Sequence, residues 1–249
     1  MCGIVGYVGD KAATPILVNG LKKLEYRGYD SAGVAIYENN ESLQVIKSKG
    51  RLSVLEDRVS KENLKGTLGI GHTRWATHGE PNDVNSHPHI SHSGKIAVVH
   101  NGIIENYMKL KEFLISQGYE FKSETDTEVV AHLVEYYYKG DLAQAVMEAI
   151  DELEGSYALG VICKDCDDTF IAARKDSPLI VGLGKGENFI ASDIPAILEH
   201  TRDIYILEDK EVVVLKKDSV KIFDSLGAEV KKEVFRVNWD VASAEKGGY

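Results

Sequence analysis

The second residue of the chain, Cys2, combines the two groups that an activated nucleophile needs. Removal of Met1, which a small second residue permits, would leave Cys2 with a free α-amine beside its thiol. The amine has an ordinary pKa of about 7.7–8.0 and the thiol one of about 8.5, so part of the amine is unprotonated near neutral pH. An adjacent base of this kind activates a thiol. The position equally suits a small buried thiol that begins a strand, and a retained Met1 would block the mechanism.

The dipeptide Asn101-Gly102 follows an apolar run that predicts a strand over 95–100. A side-chain amide next to a backbone N–H supplies the two donors of an oxyanion hole. The same dipeptide is also a strong hairpin signal. Taken alone, the residues favour the turn.

Two residues of opposite charge could recognise the two ends of a free amino acid. Arg74, followed by Trp75, enters a long polar loop, and a planar guanidinium matches both oxygens of a carboxylate. Asp126 lies in an acidic, hydroxyl-rich segment and could hold an ammonium group. The simpler interpretation is an exposed arginine and a helix-capping aspartate, with a capping box between Thr125 and Glu128.

Six of the eight histidines lie between residues 72 and 100, which raises the question of a metal site. The spacing opposes one, because no His-Glu-x-x-His pair occurs and His87 and His89 would point in opposite directions on extended chain. Histidines in loops and at strand edges are the simpler interpretation. The Cys163–Cys166 pair has no second pair to complete a zinc site, and the acidic residues after it predict a turn.

The composition is that of an ordinary globular protein. The 249 residues are 43% hydrophobic and 27% charged, which suits one large domain or two small ones. A net charge of −10 disfavours binding to nucleic acid and to anionic membranes, and no apolar run approaches the ~18 residues of a membrane span. The absence of a signal-peptide pattern and the few cysteines predict a cytoplasmic protein.

Hydrophobic periodicity predicts the elements that must position these residues. A strand over 3–8 follows Cys2, a strand over 67–73 leads to Arg74, and a helix over 126–138 begins at Asp126. Further helices are predicted over 11–25, 52–60, 104–117 and 142–153, and further strands over 33–37, 43–48, 95–100, 156–163, 169–173, 179–183, 188–191, 204–207, 211–216 and 220–224. The elements do not alternate as βαβ units, which favours an α+β protein of antiparallel sheets covered by helices.

Together, these segments resemble the class II glutamine amidotransferases over about residues 2–240. The matching segments are Met1–Gly6, Tyr26–Gly33, His72–Gly79, Asn85–His89, His100–Asn106, Ser123–Glu128 and Gly186–Asp193. The resemblance implies an N-terminal-nucleophile hydrolase fold, a four-layer αββα sandwich with two antiparallel sheets between helices. It also implies a glutaminase domain at 1–240 and the start of a linker at 241–249.

The same resemblance implies a role for each matching residue. Cys2 would attack the side-chain amide of L-glutamine with its own α-amine as general base, and L-glutamate and ammonia would form through a γ-glutamyl thioester. The oxyanion would be held by Asn101 and Gly102, and the α-carboxylate and α-amine of the substrate by Arg74 and Asp126. The residues expected to line or close the pocket are Trp75, Thr77 and His78, and those expected to support the nucleophile are Arg27 and Gly28. No metal or organic cofactor is implied.

The resemblance also implies partners beyond this chain. The motifs are most similar to a branch of the family that continues into sugar-isomerase domains, which bind fructose 6-phosphate, receive the ammonia and assemble as a homodimer. Three alternatives stay open: the glutaminase domain of another class II amidotransferase, a non-catalytic amino-acid-binding module, and a metallohydrolase.

Overall fold

The computed structural model describes residues 2–38, 42–75 and 79–238, and for Arg27 the backbone only. The predicted pocket residues Thr77 and His78 and the predicted linker at 241–249 lie outside the described residues. The α-helices are α1 (Ala13–Lys22), α2 (Leu52–Val59), α3 (Tyr107–Ser116), α4 (Thr127–Tyr137) and α5 (Leu142–Asp151). Within the described part of the chain, no helix is long and apolar enough to span a membrane.

Fifteen strands form two sheets within the described ranges, and neighbouring strands in both sheets are antiparallel. The strands are β1 (Gly3–Gly9), β2 (Ser31–Glu38), β3 (Ser42–Lys49), β4 (Leu68–Arg74), β5 (His89–Ile90), β6 (Ile96–Ile104), β7 (Gly155–Cys163), β8 (Phe170–Lys175), β9 (Ile180–Leu183), β10 (Glu187–Ala191), β11 (Asp203–Ile206), β12 (Val212–Lys216), β13 (Ser219–Phe223), β14 (Glu229–Val230) and β15 (Phe235–Arg236). The first sheet has the order β15-β11-β9-β10-β1-β4-β2-β3, and the second has the order β14-β13-β12-β8-β7-β6-β5.

The two sheets pack face to face, and helices cover both outer faces. Helices α1 and α2 bury Leu17 and Leu55 against the first sheet, and α3, α4 and α5 cover the second. Strand β1 is buried on both sides, since Ile4 faces the space between the sheets and Val5 faces α1. The predicted α+β class and αββα sandwich are confirmed.

The predicted end of the strand over 95–100 is wrong, and it affects two candidate site residues. Strand β6 continues to Ile104, so Asn101 and Gly102 lie inside a strand and the turn interpretation fails. The reason is the partner strand, because β7 pairs with β6 along its whole length up to the Ile104–Gly155 pair. The helix expected from residue 104 accordingly begins at Tyr107.

The predicted capping box at the start of α4 does not form. The Thr125 hydroxyl lies 2.9 Å from His89 Nε2, within hydrogen-bonding distance. The Glu128 carboxylate accepts hydrogen bonds from the backbone N–H groups of Lys122 and Ser123, at 2.9 and 2.6 Å. These bonds fold residues 122–126 back over the second sheet, and they leave the Asp126 side chain outside any cap of its own helix.

We expect truncation of Leu21 on α1 to destabilise the protein strongly, because its side chain is fully buried against the first sheet. Leu21→Ala should lower the free energy of unfolding in urea by about 2–5 kcal/mol. The matched control is Val54→Ala on α2, whose side chain is exposed and whose loss should cost no more than about 0.5 kcal/mol. Equal effects of the two substitutions would contradict this packing.

Candidate active site

Cys2 lies immediately before β1, with its thiol against the backbone of Trp75. The Trp75 N–H donates a hydrogen bond to Cys2 Sγ at 3.2 Å, and Sγ lies 3.6 Å from the Trp75 carbonyl oxygen. Burial raises the pKa of the Cys2 thiol, and the Trp75 N–H partly opposes that shift. A thiol with a raised pKa needs a base to become a nucleophile.

Asn101 approaches Cys2 from the second sheet. Its side-chain nitrogen Nδ2 donates a hydrogen bond to the Cys2 carbonyl oxygen at 3.1 Å. An amide nitrogen carries two N–H groups, so a second donor remains for a ligand beside the thiol. This placement brings the amide of β6 and the residue that precedes β1 into direct contact.

Gly102, the next residue of β6, has a backbone that other residues rarely adopt. Its φ is +130°, and a Cβ atom here would lie 2.1 Å from the carbonyl oxygen of Ser156 on β7. Only glycine fits this position without strain.

Arg74 and Asp126 are both buried, which overturns the simpler interpretation of an exposed arginine and a capping aspartate. Arg74 ends β4 and is 4% exposed, and its Nη2 donates to the Gly79 carbonyl oxygen at 3.3 Å. Asp126 is 6% exposed, and its Oδ2 accepts a hydrogen bond from the Ile104 N–H at 2.8 Å. Arg74 thus bonds to the backbone of the loop after β4, and Asp126 bonds to the backbone of the last residue of β6.

One cavity of about 490 Å³ connects these groups. Its lining residues are Cys2, Arg74, Trp75, His87, His100, Asn101, Gly102, Ile103, Thr125, Asp126, Thr127, Ser156, Asp176, Ser177 and Pro178. The thiol, the amide donor, the guanidinium and the carboxylate therefore face a common space. No signal in the sequence indicated the contribution of residues 176–178, which reach the cavity because β8 lies beside β7.

Trp75 and Gly28 lie against each other at the rim of the cavity. The indole is half exposed, and a Cβ atom on Gly28, whose φ is +97°, would lie 2.5 Å from Trp75 Cε3. Gly28 therefore makes room for the indole beside the nucleophile. Arg27 ends a short 3-10 turn at Glu25–Arg27 next to this contact.

Four buried histidines form a continuous layer behind the thiol and the amide. The His72 and His87 rings are stacked with centroids 4.1 Å apart, and His87 meets His89 edge-on at 4.8 Å. The prediction that His87 and His89 point in opposite directions is wrong, because residues two apart on extended chain share a face and the two rings are in contact. The fourth ring, His100, bonds through Nδ1 to the Thr127 hydroxyl at 2.9 Å.

Burial holds this layer in the neutral form. It lowers the pKa of His72 to about 3, and it lowers the pKa values of His87 and His89 well below the ordinary range. Burial also lowers the pKa of His100, although the Asp126 carboxylate opposes that shift. Neutral rings act as hydrogen-bond donors and acceptors with fixed directions.

No three His, Cys, Asp or Glu side chains of residues 2–38, 42–75 and 79–238 come together in a group that could hold a metal ion. The histidine layer is instead tied together by ring stacking and hydrogen bonds. Cys163 and Cys166 have free thiols, and the Cys166 N–H closes a turn onto the Cys163 carbonyl oxygen at 3.1 Å. The turn predicted there is confirmed.

The class of protein follows from comparison with known families. The family described as a glutamine amidotransferase domain matches residues 72–199, which is more than half of the chain. The match includes Arg74, Asn101, Gly102 and Asp126. The chain therefore belongs to the glutamine amidotransferase family.

The chain is similar in sequence to curated relatives that share one name. The chain is 64% identical over 249 residues to the glutamine–fructose-6-phosphate aminotransferase (isomerizing) of Caldanaerobacter subterraneus subsp. tengcongensis, and 64% identical to the enzyme of that name from Clostridium tetani. All of this chain is covered, but it spans only 41% of the length of each relative.

Solved structures share the fold. A glutamine phosphoribosylpyrophosphate amidotransferase from B. subtilis, in complex with ADP and GMP, superposes with a TM-score of 0.78 at 27% identity, covering 90% of this chain and 49% of that one. A class-II glutamine aminotransferase domain protein from Silicibacter pomeroyi superposes at 0.60 and 15% identity, covering 90% of this chain and 99% of that chain. The predicted N-terminal-nucleophile hydrolase fold is confirmed.

We expect the histidine layer to make the protein sensitive to acid. The pKa of each ring is lower in the folded protein than in the unfolded chain, so the unfolded chain binds more protons as the pH falls. The free energy of unfolding is therefore unaffected by these rings above about pH 6.5. Protonation of His72 in the unfolded chain lowers it progressively as the pH falls from there to about 3. Each histidine adds up to about 1.4 kcal/mol per pH unit to the slope of the free energy of unfolding against pH.

Urea unfolding at pH 7.5, 6.0 and 5.0 measures this slope. The control is His72→Gln, which removes one titrating ring. It should reduce the slope by the contribution of that one ring, up to about 1.4 kcal/mol per pH unit. A free energy of unfolding that stays constant or rises as the pH falls from 7.5 to 5.0 would contradict the neutral layer.

Proposed function

We propose that this chain is the glutaminase part of a glutamine–fructose-6-phosphate aminotransferase, and that it hydrolyses L-glutamine to L-glutamate and ammonia. The observation that carries the proposal is the single cavity shared by Cys2, Asn101, Arg74 and Asp126. The 64% identity to curated aminotransferases supports this branch over the phosphoribosylpyrophosphate amidotransferases, at 27%.

The substrate is held by its amino-acid end. Arg74 binds the α-carboxylate through its planar fork, and Asp126 binds the α-ammonium group. Both side chains are buried, so each gains more from an ionic partner than an exposed charge would. Thr77 and His78 contribute to the same pocket, and Trp75 covers its entrance.

The chemistry begins after removal of Met1, which frees the α-amine of Cys2. That amine takes the thiol proton while Sγ bonds to the side-chain amide carbon of glutamine, and the carbonyl oxygen becomes an oxyanion. The second N–H of the Asn101 amide and the Gly102 N–H hold this oxyanion. Gly28, packed against Trp75, and Arg27 support the nucleophile.

The tetrahedral intermediate then collapses. The α-ammonium group of Cys2 gives its proton to the leaving nitrogen as the carbon–nitrogen bond breaks. Ammonia departs, and a γ-glutamyl thioester remains on Cys2. Water, activated by the same amine, attacks the thioester carbon, and cleavage of the carbon–sulfur bond releases L-glutamate and restores the thiol. Each step uses groups of Cys2 as nucleophile and base.

The rest of the proposal concerns the longer protein. The part of the relatives that this chain does not span would supply sugar-isomerase domains, which bind fructose 6-phosphate and use the ammonia to make glucosamine 6-phosphate, in a homodimer. Residues 1–240 form the glutaminase domain and 241–249 begin the linker. A reduced thiol at Cys2 is needed throughout, which suits the cytoplasm.

We expect Cys2→Ala to abolish glutamate release from glutamine, because the substitution removes the attacking sulfur and keeps the backbone. Loss of a catalytic nucleophile costs up to about 10⁶-fold in turnover. A coupled glutamate dehydrogenase assay measures the rate, and Cys166→Ala, a partly buried cysteine outside the cavity, is the control. Glutaminase activity that persists in folded Cys2→Ala protein contradicts the proposal; residual activity that a chelator removes would indicate a metallohydrolase.

Arg74→Lys and Asp126→Asn should weaken glutamine binding more than they slow the chemistry. The amide oxygen introduced by Asp126→Asn would still accept the Ile104 hydrogen bond, so the substitution removes mainly the charge. Removing one charge of a buried pair, as Asp126→Asn does, costs at least about 2 kcal/mol, which is about a 30-fold fall in kcat/KM. Arg74→Lys keeps the charge and loses the planar fork that matches both carboxylate oxygens. Glu124→Gln, in the same segment but outside the cavity lining, is the control and should leave KM unchanged. Unchanged KM values in both site variants would contradict the assigned binding roles.

A further inference from the structure

We propose that His72 is a positioning residue that fixes which way the Asn101 amide faces, and so presents its N–H groups rather than its oxygen to the reacting carbonyl. The proposal deepens the glutaminase function and rests on it. His72 is the first residue of the matching segment His72–Gly79, yet it does not line the cavity. Any effect of His72 on the reaction therefore acts through its contact with Asn101.

The hydrogen bonds of His72 Nε2 determine its protonation. Nε2 lies 3.0 Å from the backbone carbonyl oxygen of His100, which is an acceptor only. Nε2 must therefore carry the proton. The Asn101 side-chain atom 2.9 Å from the same Nε2 must then be the amide oxygen, because a second N–H group would oppose the first.

A second backbone carbonyl gives the same orientation from the other side of the amide. The Asn101 nitrogen lies 3.1 Å from the carbonyl oxygen of Cys2, which accepts hydrogen bonds and cannot donate them. The amide oxygen thus accepts a hydrogen bond from His72, and one amide N–H donates to the Cys2 carbonyl oxygen. A flipped amide would place two oxygens together at Cys2 and two N–H groups together at His72.

The surroundings of His72 keep this arrangement rigid. The ring is fully buried and stacked on His87 at 4.1 Å, and burial lowers its pKa to about 3, so it stays neutral. Its other nitrogen, Nδ1, has no hydrogen-bond partner among the described residues, which leaves Nε2 as the atom that makes its bonds. Stacking and burial hold the ring so that the Nε2 proton faces the His100 carbonyl oxygen and the Asn101 amide oxygen together.

His72 also connects the two sheets at this point. It lies on β4 of the first sheet, opposite Ile4 of β1, while Asn101 and His100 lie on β6 of the second. The nucleophile extends from the first sheet and the amide from the second. The Nε2 bonds therefore fix the oxyanion donor relative to the thiol across the interface between the sheets.

The test compares two substitutions that differ in the donor. His72→Gln places an amide N–H near the position of Nε2, whereas His72→Met fills similar space without a donor. We expect His72→Met to lower kcat by at least about 10-fold, toward the 10²–10³-fold lost with an oxyanion donor. KM for glutamine should change less than threefold, because Arg74 and Asp126 are untouched. His72→Gln should recover most of the kcat.

A double substitution separates positioning from general packing. In an Asn101→Ala background, His72→Met should cause no further fall in kcat, since the amide it positions is already absent. Equal losses with and without Asn101, or equal losses in folded His72→Met and His72→Gln, would overturn the proposal. Urea unfolding of each variant identifies any loss that comes from misfolding.

An independent measurement uses the unsubstituted protein and needs no activity. Nitrogen-15 NMR of histidine-labelled protein reports the tautomer of each ring, and sequential backbone assignment identifies the signals of His72. We expect a neutral ring protonated at Nε2 from pH 5 to pH 8. A ring protonated at Nδ1 overturns the positioning role even if every kinetic variant misfolds, whereas wild-type protein without glutaminase activity overturns the proposed function and leaves the tautomer assignment standing.

Discussion

The hydrogen bond from the Asn101 amide to the Cys2 carbonyl oxygen joins the two sheets at the candidate site, and the rest of the arrangement depends on it. This bond can join the sheets because the backbone of both residues is held in place by strand pairing. Cys2 directly precedes a strand that is paired on both sides, and Asn101 lies inside a strand whose pairing with β7 extends beyond it. The end of β4 brings Arg74, and the start of α4 brings Asp126, to the cavity that the thiol lines.

Burial gives this site its electrostatic character. The histidines behind the thiol are neutral because protonation would place charges where water cannot reach them. Their hydrogen bonds therefore have fixed directions, and the charged side chains that line the cavity are Arg74, Asp126 and Asp176. A zwitterionic amino acid matches such a cavity, since each of its charges meets a partner that burial has made strong.

Much of the fold and most of the site could be predicted from the sequence, because apolar periodicity and motif residues are local signals. The strands around Cys2 and Arg74 and the helix after Asp126 are examples. The continuation of β6 through Asn101 could not be predicted, because it depends on pairing with β7, more than 50 residues away in sequence. The histidine layer was missed for a similar reason: burial and stacking come from tertiary packing, and spacing along the chain says little about either.

The intact mass of the protein after treatment with an electrophilic glutamine analogue tests the central claim most directly. That claim is a free α-amine and a reactive thiol on the same residue, inside a pocket for an amino acid. The account predicts a chain without Met1 that carries one adduct, located on Cys2 and suppressed by excess L-glutamine. A chain that retains Met1, or an adduct on Cys163 or Cys166 instead, would contradict it.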